Sequence, residues 1–211
     1  MILAEGFGEL EVELNRLDGV LGDGDQGSAM IRGFSAALAG VDRYEGVTLP
    51  GEMLAIASSS FADGAGGASG LLFATFFKEL GKACGEATGL GVSELEEGLV
   101  GCTERIMKLG KVEVGQKTML DALHPAYVAV SNRDQSELWI VARSAAEAAR
   151  AGALATTELS AKRGRARYVV DGGKGHIDPG AKSVAHICLL YTSAAAEERS
   201  SVDLGGLSII K

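Results

Sequence analysis

Aromatic residues make up only 5% of this 211-residue chain, and there are just three prolines. So few prolines leave long stretches free to stay helical. With aromatics scarce, small side chains must do much of the packing. Strand-like alternation of apolar and polar residues is nearly absent, which speaks against a sheet protein. Cysteine is limited to Cys84, Cys102 and Cys188, widely spaced and without a CxxC pair. Such spacing excludes a disulfide or zinc framework and suits buried thiols in a reducing compartment. No apolar run reaches the 18 residues of a membrane span, and Met1-Ile2-Leu3-Ala4 is too short for a signal sequence. The expectation is a cytoplasmic protein with no membrane partner. Basic residues are outnumbered, 20 to 28, giving a net charge of −8. That balance argues against nucleic acid as a partner.

What is present is 30 glycines and a hydrophobic content of 46%. The length fits one domain able to bury a substantial core. Seven or eight helices with glycine-rich junctions is the simplest architecture. The periodicity predicts helices over 2–18, 28–38, 51–62 and 71–80, the last apolar almost all round. Ser93 and Glu96 form a predicted capping box for a helix ending near Leu109. A helix carrying Met119, Leu120 and Leu123 is expected to be interrupted near Pro125. Residues 136–161 are Ala-rich and helix-prone. Asp178 and Pro179 read as the N-cap and first residue of a last helix. Two glycine-rich loops are predicted before helices, at Asp63–Gly70 and at Gly172–Gly175.

Chemistry is concentrated in Leu17-Asp18-Gly19-Val20-Leu21-Gly22-Asp23-Gly24-Asp25-Gln26-Gly27. Asp18, Asp23 and Asp25 fall within eight positions, and carboxylates so close repel unless a cation sits between them. The intervening glycines let the chain turn the three toward one point. An all-oxygen set suits a hard cation such as Mg2+. The bland alternative is a turn that caps the next helix. An EF-hand does not fit. Counting from Asp23, its fifth, sixth and twelfth places hold Gly27, Ser28 and Phe34.

Glycine-rich segments before helices suit phosphate oxygens, because helix N-termini present free N–H groups. Acids beside such loops are what a Mg-nucleotide needs. The common nucleotide signatures are nevertheless missing. Gln116 interrupts the Walker pattern before Lys117-Thr118, and no GxGxxG follows a strand.

Six ordered segments carry a resemblance. They are Leu17-Asp18 with Gly22-Asp23-Gly24-Asp25, Gly33-Phe34, and Gly66-Gly67-Ala68-Ser69-Gly70 with Phe76-Phe77. Further on come Lys117-Thr118-Met119-Leu120-Asp121-Ala122-Leu123, Lys162-Arg163-Gly164-Arg165-Ala166, and Gly175-His176-Ile177-Asp178-Pro179-Gly180-Ala181. Over about residues 10–190 the chain resembles the nucleotide-binding L subunit of the dihydroxyacetone kinase family. The resemblance implies an all-α fold, an antiparallel eight-helix barrel with nucleotide at one end. It covers residues 1–191 and leaves 192–211 as a tail without family likeness.

The resemblance further implies two Mg2+ ions held by Asp18, Asp23 and Asp25, with ADP or ATP as the nucleotide. Gly67, Ala68 and Ser69 would contact phosphate, and Thr118 and Met119 would line the site. Arg165 would approach the phosphates as the catalytic residue, and Asp178, Pro179 and Gly180 would close over the nucleotide. The implied activity is phosphotransfer to an alcohol group of dihydroxyacetone or a similar ketose. The acceptor is held on a partner K subunit, without which the chain is inactive. The family also allows a phosphocarrier M subunit as partner and a homodimer. The alternative is a nucleotide-binding regulatory or docking module without turnover. The chain departs from the family pattern at Gln26, where His is usual, at Ser28-Ala29, and at Gln116, where Asp is usual. His176 reads as a local hydrogen-bonding residue, and His124 and His186 as packing or solvent-facing. The basic run 162–167 reads as a solvated helix end, Arg165 apart.

Overall fold

The computed structural model describes residues 2–44, 46, 49–132 and 137–203. Among these residues eight α-helices follow in order: α1 (Ile2–Leu21), α2 (Gln26–Asp42), α3 (Pro50–Ala65), α4 (Gly67–Cys84), α5 (Val92–Gly110), α6 (Leu120–Ser131), α7 (Leu138–Ala155) and α8 (Pro179–Asp203). Three short 3-10 turns lie between α7 and α8, and no strand occurs among the described residues. Each helix packs on the next, and α1 closes the ring against α8. The all-α eight-helix architecture expected from the sequence is therefore the one observed.

Apolar spacing explains the ring. In α1, Phe7, Leu14, Leu17 and Leu21 share one face and are buried. In α6, Leu120, Leu123, Ala126 and Val130 do the same. The chain's six phenylalanines gather inside, five of them buried and Phe77 partly so. Phe34 stacks on Phe7 at 4.8 Å and meets Phe61 edge-on at 5.1 Å. All the phenylalanines but Phe7 line, with aliphatic neighbours, an apolar cavity of about 210 Å³. The closing seam is partly polar. Lys182 of α8 pairs with Glu13 at 3.0 Å, and the His186 ring meets the Gly6 carbonyl at 3.0 Å.

Several local expectations need correction. Helix α1 continues past Asp18 to Leu21, so Asp18 lies in its last turn. The segment Asp63–Gly70 is not a loop. A single residue, Gly66, breaks the helices there, at φ 66° and ψ 177°. Gly67 follows at φ 64°, and these two positive φ angles turn the chain so sharply that no longer loop is needed. Helix α4 buries Phe73, Ala74 and Phe76 but exposes Leu71, so it is not buried all round.

The cap of α5 is formed earlier than expected. The Glu94 carboxylate accepts the Gly91 N–H at 2.9 Å, while Ser93 and Glu96 lie inside the helix. Pro125 does not interrupt α6. It leaves the Asp121 carbonyl without its i+4 donor, and the side-chain-free Gly152 of α7 packs against that carbonyl. Helix α7 ends at Ala155, so the basic run 162–167 is not an α-helix end: 162–164 are loop and 165–167 lie in a 3-10 turn, Arg165–Tyr168. Lys162 N–H bonds the Gln116 carbonyl and Ala161 N–H the Gly172 carbonyl, which holds that loop against its neighbours. Helix α8 runs unbroken through residue 192 to Asp203, and residues 204–211 lie outside the described residues.

The up-and-down order has one consequence for function. Helices α2, α4, α6 and α8 all begin at the same rim of the ring, where α1 ends.

Candidate functional site

At that rim the acidic loop is folded by its own side chains. Asp18 Oδ2 accepts the N–H groups of Gly24 at 2.8 Å and Asp25 at 3.0 Å. Gly24 turns at φ 80°, a conformation costly for other residues. Asn15 Oδ1 accepts the N–H groups of Gly27 and Ser28 and so caps α2. This arrangement leaves one oxygen each of Asp18, Asp23 and Asp25 within 4.8 Å of the others. The three repel one another, and two arginines offset part of that charge. Arg165 Nη1 lies 3.0 Å from Asp23, and Arg32 Nη2 lies 3.8 Å from Asp25. An all-carboxylate set of this spacing, Asp23 and Asp25 exposed and Asp18 half-buried, fits a hard divalent cation such as Mg2+. The acidic triplet singled out in the sequence is thus brought together.

The four helix N-termini at the rim are not equivalent. The first N–H groups of α2 are answered by Asn15. Thr118 accepts from Leu120 and Asp121 at the start of α6. Asp178 Oδ2 accepts the Ala181 N–H at 2.7 Å, capping α8 as expected, with Pro179 at its first position. Among the described residues, α4 is the one of these four whose first N–H groups meet no side-chain acceptor, from its own N-cap or from a neighbour. Its leading N–H groups at Gly67, Ala68 and Ser69 have no intrahelical partner, so this end is the one open to an anion.

Behind the rim sits a residue whose role the sequence did not reveal. Lys117 is 1% exposed and adopts φ 60°. Its ammonium donates to the carbonyls of Thr156 and His176. Burial lowers its pKa, and the nearby Asp178 and Asp121 carboxylates oppose that. Asp121 accepts the N–H groups of Gly115 and Thr118, holding the turn that carries Lys117. Thr156 in turn accepts the Asp178 N–H at 2.9 Å. Lys117 therefore ties the end of α7 to the approach to α8. His176 takes part through its backbone, and its side chain is exposed. The Gln116 Oε1 is buried without a partner among the described residues.

These parts surround one cleft of about 360 Å³. Its lining includes Asp18, Asp23, Asp25, Ala68, Ser69, Thr118, Met119, Arg165, Asp178, Pro179 and Gly180. Gly67 stands beside it as the first residue of α4. Gln26 and Lys117, given no site role from the sequence, also line it.

Burial pushes the Asp178 carboxyl up to about 7, against the lowering effects of the Ala181 N–H and Lys117. An acid raised in the folded state keeps its proton there while the unfolded chain has lost it. Stability from this group is present at low pH and lost as pH rises from about 4 to about 7. Asp178→Asn keeps a capping oxygen and removes the titration. In the absence of ligand, the variant's melting temperature is expected to gain on the wild type's between pH 5 and pH 8. Parallel melting curves over that range would contradict the burial of this carboxyl.

Residues 20–192 match the family model for the DAK2 domain. The chain is 37% identical over 187 residues to a D-erythrulose kinase of Mycolicibacterium smegmatis, covering 87% of this chain and 32% of that protein. It spans about a third of the length of the erythrulose kinases that it matches. It is 34% identical over 190 residues to the ADP-binding subunit DhaL of the PEP-dependent dihydroxyacetone kinase of Escherichia coli, covering 87% and 88% of the two chains. Among solved structures it resembles the C. freundii dihydroxyacetone kinase in complex with AMP-PNP and Mg2+. The TM-score is 0.69 at 25% identity, over 92% of this chain and 32% of that one.

Proposed function

Because the chain belongs to the DAK2 domain family of dihydroxyacetone kinases, we propose that its cleft binds Mg2+ with ADP or ATP for phosphotransfer to a short ketose. One observation carries the proposal. Three convergent carboxylates and the one helix N-terminus of this rim that no side chain caps among the described residues line or adjoin a single cleft. Cation ligands and phosphate donors are thereby placed side by side, as a metal-bound polyphosphate requires. No helix of the described residues is long and apolar enough to cross a membrane. The likeness to ADP-binding kinase subunits supports a cytoplasmic location.

Asp18, Asp23 and Asp25 would hold the metal, with two ions as the family likeness implies. Bound there, Mg2+ neutralises the phosphate oxygens that gain charge in transfer. The N–H groups of Gly67, Ala68 and Ser69 take phosphate oxygens. Thr118, Met119, Asp178, Pro179 and Gly180 wall the nucleotide. Arg165 sits at 3.0 Å from Asp23 and is largely exposed, so its guanidinium has room to turn toward phosphate. There it offers a planar fork of donors. No side chain of the cleft is placed as a general base. The acceptor hydroxyl is activated on a K subunit, and residues 1–191 form the nucleotide-binding unit.

Reconstitution tests this directly. The chain alone, given ATP and Mg2+ or a phosphocarrier protein, is expected to produce no dihydroxyacetone phosphate. Adding a K subunit of the family is expected to start turnover. Robust turnover without that subunit contradicts the division of labour. Mg-ADP binding with no product in the complete mixture would instead identify a regulatory module. The nucleotide that copurifies with the protein reports whether ATP is the donor or bound ADP is recharged.

A further inference from the structure

We propose that Gln26 is a positioning residue that locks the metal-holding loop to the phosphate-binding end of α4 and to the start of α8. The inference rests on the functional reading above. Gln26 is the first residue of α2, directly after Asp25, and is 6% exposed. Its Nε2 donates to Ser183 Oγ at 3.2 Å, and its Oε1 accepts from Ser69 Oγ at 2.8 Å. Ser183 is fully buried, and its hydroxyl donates to the Pro179 carbonyl at 2.8 Å. A hydroxyl has one proton, so Ser183 can meet Gln26 only as an acceptor. That fixes the amide orientation. The NH2 faces Ser183 and the carbonyl oxygen faces Ser69.

The result is a directed chain of hydrogen bonds from Ser69 through Gln26 and Ser183 to Pro179. It joins three walls of the cleft whose residues lie far apart in sequence. At one end it commits the only proton of Ser69 to Gln26. Phosphate at this wall is then met by backbone N–H groups, while the Ser69 side chain sets the position of the helix start. At the other end it holds Pro179 next to Asp178. A shift of Asp25 relative to α4 breaks the part-buried Ser69–Gln26 bond, and a shift relative to α8 breaks the buried Gln26–Ser183 bond and leaves a desolvated amide unpaired.

Leu at position 26 keeps the volume and removes both polar ends. Gln26→Leu is expected to raise the Kd for Mg-ADP about tenfold, measured by calorimetry well below the melting temperatures of both proteins. Ser183→Ala lies outside the cleft and removes the links from Gln26 to Ser183 and from Ser183 to Pro179, leaving the Ser69–Gln26 bond in place. It is expected to raise the Kd by a smaller factor, about threefold, and the double variant to bind no worse than Gln26→Leu alone. A purely structural role for Gln26 would lower the melting temperature and leave the Kd of the folded protein unchanged. An unchanged Kd in both single variants, with the wild type binding Mg-ADP, overturns this inference alone. Failure of the wild type to bind Mg-ADP overturns the functional reading and this inference with it.

Discussion

Asp18→Ala is expected to abolish the rise in melting temperature that Mg2+ with ADP gives the wild-type protein. A ligand at a hundredfold excess over its Kd stabilises the native state by about 2.7 kcal/mol. For a chain of this size that is roughly 5–10 °C. Asp18 is the most costly of the three acids to lose because it serves twice. It offers a ligand oxygen, and its carboxylate also holds the N–H groups of Gly24 and Asp25 through Oδ2. Without it the loop loses the bonds that turn Asp23 and Asp25 inward. Asp18→Asn separates the two roles, since the amide oxygen still accepts those bonds while the charge is gone. The Asn variant is expected to keep the ligand-free melting temperature near that of the wild type and still lose most of the ligand shift. A full shift in either variant would show that the cation, if bound, sits elsewhere.

Lys117→Met is expected to produce the largest loss of stability, about 3 kcal/mol or more. On this length of chain the melting temperature would fall by roughly 6–12 °C. Methionine fills similar space but cannot answer the carbonyls of Thr156 and His176. The Asp121 and Asp178 carboxylates also lose their buried counter-charge. Because Lys117 joins the end of α7 to the segment before α8, the variant should also bind Mg-ADP more weakly at temperatures where it remains folded. A melting temperature within about a degree of the wild type would contradict the role assigned to this lysine.

The acidic loop was legible in the sequence because it is local. Three carboxylates and their glycines lie within one short segment, and the loop folds largely on its own side chains. The cap at Asp178 and Pro179 was legible for the same reason. Glycine proved ambiguous. Gly64 stays helical because α2 packs close against it, whereas Gly66 breaks the chain, and composition does not separate the two uses. Pro125 misled because the compensating partner, Gly152, stands on another helix. Lys117 and Gln26 were missed as site residues for a related reason. Lys117 meets Thr156 and His176, 39 and 59 residues away, and Gln26 meets Ser183 at a separation of 157. Only closure of the ring places those groups together. The grouping of α4, α6 and α8 around the acids came from the family resemblance and not from spacing.

The central claim is that Asp18, Asp23 and Asp25 grip a divalent ion which holds a polyphosphate against the start of α4. Anomalous diffraction from crystals grown with Mn2+ and ADP measures this most directly. The account predicts a Mn2+ peak about 2.1–2.3 Å from oxygens of these aspartates, bridged to phosphates beside Gly67, Ala68 and Ser69. Bound ADP with its metal peak away from all three carboxylates would contradict it, as would a cleft with neither.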